Sequence, residues 1–247
     1  MTSNLTIPIA DVIPVIPRAL LVQLNLGKKN FPFNAGQAIM IGQHGLDLKR
    51  PYSIACSPEQ AASSKMLEVL VAVETNGSPG THLPTLGKGE LIDVEGPIGS
   101  FVFPELPIEK NLLFIGGGTG IAPLRSMLNH VLRMKLKRTI TLVYSARRTE
   151  DFAFMEEFDH YERSGQIKLR QTITRDDLAW QGARGRISLL NFKAVMENPA
   201  ETLCFVCGPT AMVEQATSTL NELGVPREAI RTEQWSNKSQ SRTLDCL

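Results

Sequence analysis

The chain has 247 residues, of which 43% are hydrophobic and 21% are charged, with a formal net charge of +1. This balance is ordinary for a globular protein and provides no positive field to hold the phosphates of a nucleic acid. No apolar run approaches the roughly 20 residues of a membrane helix, and the N-terminal segment lacks a signal-peptide pattern. Because the four cysteines do not show the paired spacing of a disulfide framework, a reducing compartment is expected. We therefore expect a cytoplasmic protein without nucleic-acid binding or membrane insertion.

The N-terminal part of the chain contains short apolar segments, each bounded by Gly, Pro, Asn or Lys. This spacing predicts a small antiparallel barrel or sandwich. A proline-rich passage at Phe103–Lys110 follows and is a candidate linker. The predicted strands are residues 19–26, 37–43, 66–75 and 90–96.

Beyond this passage, buried-type strands alternate with segments whose apolar residues recur at helical spacing. Such alternation predicts a doubly wound parallel sheet. We expect a β-barrel domain at residues 1–106, an α/β domain at 107–235 and a polar tail at 236–247. In the second domain the predicted strands are residues 111–118, 139–147, 167–174 and 201–209, and the predicted helices are 122–134, 150–164 and 211–224.

A cluster of glycines connects the first of these strands to its helix, in the sequence GGGTGIAP at residues 116–123. The strict G-x-G-x-x-G dinucleotide fingerprint is not met, because Ile121 or Pro123 takes the place of the third glycine. The physical requirement is still met, since a glycine-rich turn lets backbone N–H groups approach a pyrophosphate at a helix N-terminus. A tight turn without a ligand is the alternative, but four glycines within five residues exceed what a turn requires.

The end of the next strand carries Ser145, Arg147 and Arg148. NAD-binding folds often place a carboxylate here for the ribose hydroxyls, whereas a nearby arginine accommodates the additional phosphate of NADP. No carboxylate occurs before Glu150, and two arginines with a serine suit a 2′-phosphate. These residues favour NADPH over NADH, with a solvated loop of ordinary charges as the alternative.

Several further motifs are weak signals one by one but are specific when their order along the chain is considered. In that order they are Phe33–Gln37, Arg50-Pro51-Tyr52-Ser53, Gly77–Thr81, Gly96–Gly99, the glycine cluster, Cys207-Gly208-Pro209 and Glu233-Gln234-Trp235. This ordered set, over roughly residues 10 to 235, resembles the ferredoxin–NADP reductase superfamily of flavoprotein oxidoreductases.

The resemblance implies an N-terminal FAD-binding barrel, a C-terminal NAD(P)-binding domain and hydride transfer from nicotinamide C4 to flavin N5. At the matching positions, Arg50 would pair with the FAD pyrophosphate, and Pro51 belongs to the same motif. Tyr52 would lie against the isoalloxazine ring, and Ser53 would lie near flavin N5. A bidentate guanidinium, an aromatic face and a hydroxyl suit these tasks.

The resemblance also assigns the remaining motifs to the cofactors. Gly80 and Thr81 would open a short helix whose N-terminus faces the FAD pyrophosphate. A short spacing from Thr81 to Gly89 leaves Ser78 as an alternative phosphate contact. The residues that would hold the nicotinamide dinucleotide are Gly118, Thr119, Gly120, Pro123, Cys207, Gly208 and Pro209.

Four residues are implied in catalysis, namely Tyr52, Ser53, Cys207 and Glu233. Cys207 would lie near the reacting C4 of nicotinamide, and Glu233 would lie beside the flavin. Either Trp235 or the C-terminal tail at residues 236–247 would cover the flavin.

Other kinds of site find no support in the sequence. Cys204 and Cys207 form a C-x-x-C in an apparent strand, where side chains three residues apart point to opposite faces, so we expect neither a disulfide nor shared metal ligation. The four histidines form no pair at metal-ligand spacing, and no G-x-S-x-G nucleophile elbow occurs. A plant-type run of iron–sulfur cysteines is also absent, so electrons must leave to a separate acceptor.

The sequence thus predicts an FAD-dependent NAD(P)H oxidoreductase that passes electrons to a carrier such as ferredoxin or flavodoxin. A basic run at residues 133–138 is either a docking site for an acidic carrier or the solvated end of a helix. The alternatives are a flavin reductase that uses free flavin as substrate, a reductase subunit of a multicomponent oxygenase, and a nucleotide-sensing scaffold without turnover.

Overall fold

A computed structural model describes residues 3–73, 80–187, 192 and 195–235, with the backbone alone at Trp235. Within these ranges the chain forms two six-stranded sheets and four α-helices. The N-terminal strands are β1 (Ser3–Ile16), β2 (Ala19–Asn25), β3 (Ala38–Gln43), β4 (Arg50–Ser53), β5 (Met66–Ala72) and β6 (Leu91–Ile98). The C-terminal strands are β7 (Asn111–Gly117), β8 (Thr139–Ala146), β9 (Lys168–Ile173), β10 (Ala183–Arg184), β11 (Thr202–Pro209) and β12 (Ile230–Trp235). The helices are α1 (Pro58–Ser64), α2 (Ile121–Met134), α3 (Met155–Arg163) and α4 (Thr210–Glu222).

The N-terminal sheet is antiparallel, with the strand order β4-β3-β6-β1-β2-β5. Its two edges meet just after β4, where Ile54 bridges to Val69 of β5. Beside this bridge the Ala55 N–H donates to the carbonyl of Glu68 at 2.7 Å. The sheet therefore curls into a nearly closed barrel, and the predicted antiparallel barrel is confirmed.

The long first strand was not predicted, because Pro8 and Pro14 argue against a strand inside a sheet. The structure resolves this conflict by dividing the strand between two neighbours. Residues 3–8 pair with β6 and residues 9–16 pair with β2. Each half thus has a partner on one side, so that a proline without an N–H can be accommodated.

The C-terminal sheet is parallel, with the order β10-β9-β8-β7-β11-β12, which confirms the predicted α/β fold. The chain winds outwards from β7 to β10 and then returns to the other side of β7 through β11. The strand order therefore reverses between β7 and β11. Open α/β sheets bind their ligands at the carboxyl ends of the strands beside such a reversal.

Two local predictions were wrong. The segment after Gly80 forms a turn rather than a short helix, with the Leu83 N–H donating to the Gly80 carbonyl at 3.2 Å. Pro84 follows at once, and the residue before a proline is disfavoured in helical conformation. The predicted helix at 150–164 is divided, because a 3₁₀ turn at Thr149–Asp151 precedes α3 and Phe154 between them has a positive φ of 62°.

Helix α2 joins the parallel sheet to the barrel through polar contacts. The Arg125 guanidinium donates to the Ala55 carbonyl at 3.0 Å and to the Glu68 carboxylate at 2.7 Å. The Ser126 hydroxyl donates to the Cys56 carbonyl at 2.7 Å. Apolar residues of the barrel side, such as Phe101 and Phe103, also belong to the core of the sheet. None of the helices in the described ranges combines the length and apolar character needed to cross a bilayer.

Candidate functional site

A cavity of about 1000 Å³ lies between the barrel and the carboxyl ends of the parallel strands. One wall comes from the barrel, including Arg18, Arg50 and Tyr52, and the other comes from the turns after β7, β8, β9 and β11. The sequence-predicted residues that line it are Arg50, Tyr52, Gly118, Thr119, Ser145, Arg147, Arg148 and Pro209. The fold thus brings residues from both halves of the chain to one space.

Strand β4 contributes Arg50 and Tyr52 to the barrel wall, and side chains along it alternate between the two faces of the sheet. Arg50 and Tyr52 face the cavity, whereas Pro51 between them is exposed. The Tyr52 hydroxyl is hydrogen-bonded to Nε2 of His82 at 2.7 Å, and the two rings are stacked. Burial raises the pKa of Tyr52 to about 12, an effect that the nearby Arg50 charge opposes, so the phenol stays protonated.

Ser53, Glu233 and Cys207 form a second group, where the barrel meets β11 and β12. The Ser53 hydroxyl donates to Glu233 Oε2 at 3.2 Å, and the Cys207 thiol lies 3.7 Å from the same oxygen. Burial raises the pKa of Glu233, while its hydrogen bonds to Ser53 and Cys207 act in the opposite direction. Burial and the Glu233 carboxylate raise the pKa of Cys207 well above its ordinary value. Cys207 is therefore a neutral thiol that donates to Glu233, and the Ser53 hydroxyl is hydrogen-bonded to the same carboxyl group.

The glycine turn after β7 is shaped by close packing as well as by backbone conformation. A Cβ at Gly120 would lie 2.5 Å from the carbonyl oxygen of Cys207, and one at Gly117 would lie 2.5 Å from Sδ of Met212. Gly118 has a φ of +55°, a conformation that favours glycine, and a Cβ at this position would have no neighbouring atom within 4 Å among the described residues. Gly120 and Gly117 thus bring the turn against β11 and α4, and Gly118 leaves open space at the rim of the cavity.

The two remaining nucleotide-loop residues have packing roles. Pro123 is buried in the first turn of α2, where its missing N–H is one of those without a partner inside the helix. Gly208 lies against Gly117, whose Cα would be 3.3 Å from a Cβ at this position. These two residues support the turn and lie behind the residues that face the cavity.

The far end of the cavity, beyond β8, is rich in arginine. Ser145, Arg147 and Arg148 line it as the sequence suggested, together with Arg175 and Arg186. Arg175 follows β9 and was not predicted as a site residue. Its backbone N–H donates to the Arg147 carbonyl at 2.9 Å. The sequence signal for this residue was a basic side chain after the third predicted strand of the α/β domain. Two carboxylates, Glu150 and Asp151, also line this end, so the arginines outnumber the acids.

Several predicted residues lie elsewhere or outside the described ranges. Thr81 is exposed on its turn, and Gly80 has a φ of +104° beside Arg50. Ser78, the Trp235 side chain and the tail at 236–247 are outside the described residues. The basic run at 133–138 covers the end of α2 and the loop before β8, on the side of the amino ends of the parallel strands, whereas the cavity lies at their carboxyl ends.

The residues present fit a flavin and a nicotinamide dinucleotide. Basic side chains stand at both ends of the cavity, and the glycine turn leaves open space between them. Nδ1 of His82, behind Tyr52, is buried without a hydrogen-bond partner among the described residues. An unpartnered buried nitrogen beside an arginine is what a phosphate-bearing cofactor would satisfy.

Comparison with known proteins agrees with this geometry. Residues 16–103 match the oxidoreductase FAD-binding domain, and residues 114–218 match the oxidoreductase NAD-binding domain. Ferredoxin–NADP reductase B of Sorangium cellulosum is 31% identical over 218 residues, which cover 84% of this chain and 87% of that protein. The chain belongs to the ferredoxin–NADP reductase superfamily.

Several further proteins are similar to this chain in structure or in sequence. An Amycolatopsis cytochrome P450 reductase superposes with a TM-score of 0.83 at 24% identity, covering 96% of this chain and 71% of that one. A Neisseria gonorrhoeae ferredoxin NADP⁺ reductase with bound FAD and NADP has a TM-score of 0.76 at 20% identity, covering 94% and 98%. One component of the Na⁺-translocating NADH-quinone reductase of Methylococcus capsulatus is 32% identical over 73% of this chain, which spans 47% of that component. The chain thus spans about half the length of some curated relatives.

Proposed function

We propose that this protein is an FAD-dependent oxidoreductase that takes reducing equivalents from NAD(P)H and passes electrons to a separate carrier protein. The observation that carries the proposal is the hydrogen bond between Ser53 of the barrel and Glu233 of the parallel sheet, at 3.2 Å. It supports a site made jointly by a flavin-binding and a nicotinamide-binding unit. The matches to an FAD-binding and an NAD-binding domain support the same two cofactors.

The residues that would hold FAD are those of the barrel wall. Arg50 would bind the pyrophosphate, with Gly80 and Thr81 nearby, and Tyr52 would lie against the ring. When bound, FAD supplies hydride acceptance and stepwise release of electrons, which no side chain provides. The site assignments from the sequence, including Pro51, Trp235 and the domain limits at 106 and 235, remain part of this proposal.

The side chains of the second group would handle protons and exclude water. The Ser53 hydroxyl donates a hydrogen bond to Glu233 Oε2, so the lone pairs of the hydroxyl oxygen are free to interact with a cofactor nitrogen. Glu233 would accept a proton through Ser53 when the hydroxyl gains one from the cofactor side, and would return it by the reverse route; the raised pKa of Glu233 brings it closer to neutral pH. Cys207 stays a neutral thiol and adds a donor at the same carboxylate without introducing a second negative charge.

The nicotinamide dinucleotide would be bound along the carboxyl ends of β7 and β11, at the glycine turn and the Cys207-Gly208-Pro209 motif. We infer a preference for NADPH from the arginine-rich end of the cavity. Arg147, Arg148, Arg175 and Arg186 line this end together with Ser145, and their guanidinium groups are donors of the kind that bind a 2′-phosphate, although Arg148 is also paired with Glu150 at 3.7 Å.

The proposed acceptor is a carrier such as ferredoxin or flavodoxin, and the proposed compartment is the cytoplasm. The relative from Sorangium cellulosum, a ferredoxin–NADP reductase, supports this class of partner. A role as the reductase component of a multicomponent system is the second candidate. It is supported by the likeness to one component of a Na⁺-translocating NADH-quinone reductase.

Gel filtration of the FAD-loaded protein, followed by a ferricyanide assay with NADPH or NADH, tests the proposal. We expect FAD to remain bound and the protein to turn over. Ser53→Ala is expected to lower turnover about a hundredfold if Ser53 contributes to proton handling at the magnitude typical of such groups. Ser63→Ala, on the exposed face of α1, is the matched control and should leave turnover unchanged. Loss of FAD on the column with retained reduction of added flavin would instead indicate a flavin reductase.

A further inference from the structure

A histidine that no motif includes lies directly behind Tyr52. His82 is fully buried, at 0% exposure, on the turn that follows Gly80. Its Nε2 is 2.7 Å from the Tyr52 hydroxyl, and the two rings are nearly parallel, with centroids 5.7 Å apart. The carbonyl of His82 accepts a hydrogen bond from the Gln43 N–H at 2.9 Å, which anchors its backbone to β3. His82 thus holds the Tyr52 ring from a fixed point in the barrel.

The second ring nitrogen of His82 has no such partner. Nδ1 is buried and forms no hydrogen bond among the described residues. It lies 3.5 Å from the position that a Cβ would take at Gly80, and Arg50 Nη1 lies 3.7 Å from that same position. Nδ1 and the Arg50 guanidinium therefore both lie next to the position that a side chain would take at Gly80. A buried polar atom without a partner is costly in a native protein, so a partner from outside the described chain is expected.

The protonation of this pair follows from its surroundings. Burial and, to a smaller extent, the Arg50 charge together lower the pKa of His82 to about 4, so the ring is neutral near pH 7. A neutral imidazole carries one N–H and one acceptor nitrogen. Because the Tyr52 phenol retains its proton, it can donate that proton to Nε2. The single N–H of the imidazole then belongs to Nδ1, beside the Arg50 cation.

We propose that His82 is a positioning residue of the flavin site, whose Nε2 fixes the Tyr52 ring and whose Nδ1–H donates to a phosphate oxygen of the flavin nucleotide beside Arg50. The inference rests on the proposed function, because it requires that the barrel binds a flavin nucleotide. It links Tyr52, which would lie against the flavin ring, to the turn after Gly80, which would lie near the phosphates. One buried ring would therefore couple phosphate binding to the orientation of the aromatic residue.

Two amide substitutions separate the roles of the two nitrogens. The amide of Asn at this position reaches the place of Nδ1, and the amide of Gln reaches the place of Nε2. We expect His82→Gln to raise the Kd for FAD about tenfold, the usual effect of losing one hydrogen bond to a charged group. His82→Asn should retain the Kd within about threefold, because it keeps the donor toward phosphate. His44→Asn is the control, since His44 is an exposed barrel histidine paired with Asp93 at 2.9 Å.

The measurements are FAD titrations followed by flavin fluorescence, and ¹⁵N NMR of the protein without flavin, which reports the tautomer of His82. Support requires the Nδ1–H tautomer together with a larger loss of affinity in His82→Gln than in His82→Asn. Equal losses, the reverse order, unchanged affinities or an Nε2–H tautomer would each overturn the inference. Thermal unfolding of each variant shows whether a loss of affinity comes from a loss of fold. Failure of the unsubstituted protein to bind FAD would instead contradict the proposed function itself.

Discussion

Arg125 of α2 and Glu68 of β5 form an ion pair at 2.7 Å that joins the parallel sheet to the barrel. Arg125 is almost fully buried, and its Nε donates to Glu157 Oε2 at 2.7 Å while its guanidinium lies over the Phe154 ring. The flanking carboxylates raise the pKa of Arg125, although burial acts in the opposite direction. One cation thus connects the two halves between which the cavity lies.

Removal of this cation is expected to destabilise the protein strongly. Arg125→Met leaves Glu68 and Glu157 without their shared partner, and such losses cost about 3–5 kcal/mol. Urea unfolding of the purified variant measures the change. Arg133→Met, near the end of the same helix, is the control and should change the free energy of unfolding by less than about 1 kcal/mol. Equal losses in the two variants would contradict a central role for Arg125.

A methyl group added to the glycine turn should disturb the nucleotide site. In Gly120→Ala the new Cβ would lie 2.5 Å from the Cys207 carbonyl oxygen, so that the turn must shift. We expect a cost of about 1–3 kcal/mol in stability and weaker NADPH binding, measured by thermal unfolding and by titration. The control is Gly87→Ala, whose Cβ would meet its nearest neighbour at 3.6 Å. Unchanged NADPH affinity in Gly120→Ala would contradict nucleotide binding at this turn.

Replacing Glu233 by Gln should raise the stability of the protein at pH 7 and lower its activity. Burial raises the pKa of this carboxyl group in the folded protein. At pH values between the ordinary glutamate pKa and this raised pKa, the folded state therefore binds more protons than the unfolded state. Stability from this group is therefore present at low pH and is lost as pH rises. Glu233→Gln is expected to raise Tm at pH 7 relative to the unsubstituted protein, and less so near pH 4.5, while turnover falls. A lower Tm at pH 7 in the variant would show that the ionised carboxylate stabilises the fold.

The arginine after β9 should distinguish the two nicotinamide dinucleotides. Arg175→Ala removes one cation from the end of the cavity that Ser145 and Arg147 also line. We expect KM for NADPH to rise about tenfold with KM for NADH unchanged, because only NADPH carries the additional phosphate. Arg170→Ala, an exposed residue of β9 near Glu162, serves as the control. Equal effects on both dinucleotides would contradict a 2′-phosphate site.

The sequence predicted those parts of the fold and of the candidate site that depend on local patterns. Buried apolar runs that end in glycine-containing motifs predicted β7 and β11. The first strand was missed because its two prolines contradict the usual pattern of a strand. The helix expected after Gly80 was wrong because Pro84 ends it before it can form.

The contacts that give the site its chemistry were beyond the reach of local patterns. Ser53 and Glu233 are 180 positions apart, and only the docking of the barrel onto the sheet brings them within 3.2 Å. Arg125 lies in a helix that the sequence predicted, but its role was not predicted because its carboxylate partners, Glu68 and Glu157, come from distant segments. His82 belongs to no motif, and its contact with Tyr52 depends on the turn after Gly80.

The most direct test is an absorption spectrum of the FAD-loaded protein, recorded without oxygen while NADPH or, separately, NADH is added. We expect the flavin absorbance near 450 nm to be lost on the addition of about one equivalent of NADPH, and more slowly with NADH. Retention of the full flavin absorbance with both dinucleotides would contradict the proposed electron transfer from nicotinamide to a flavin held between the barrel and the sheet.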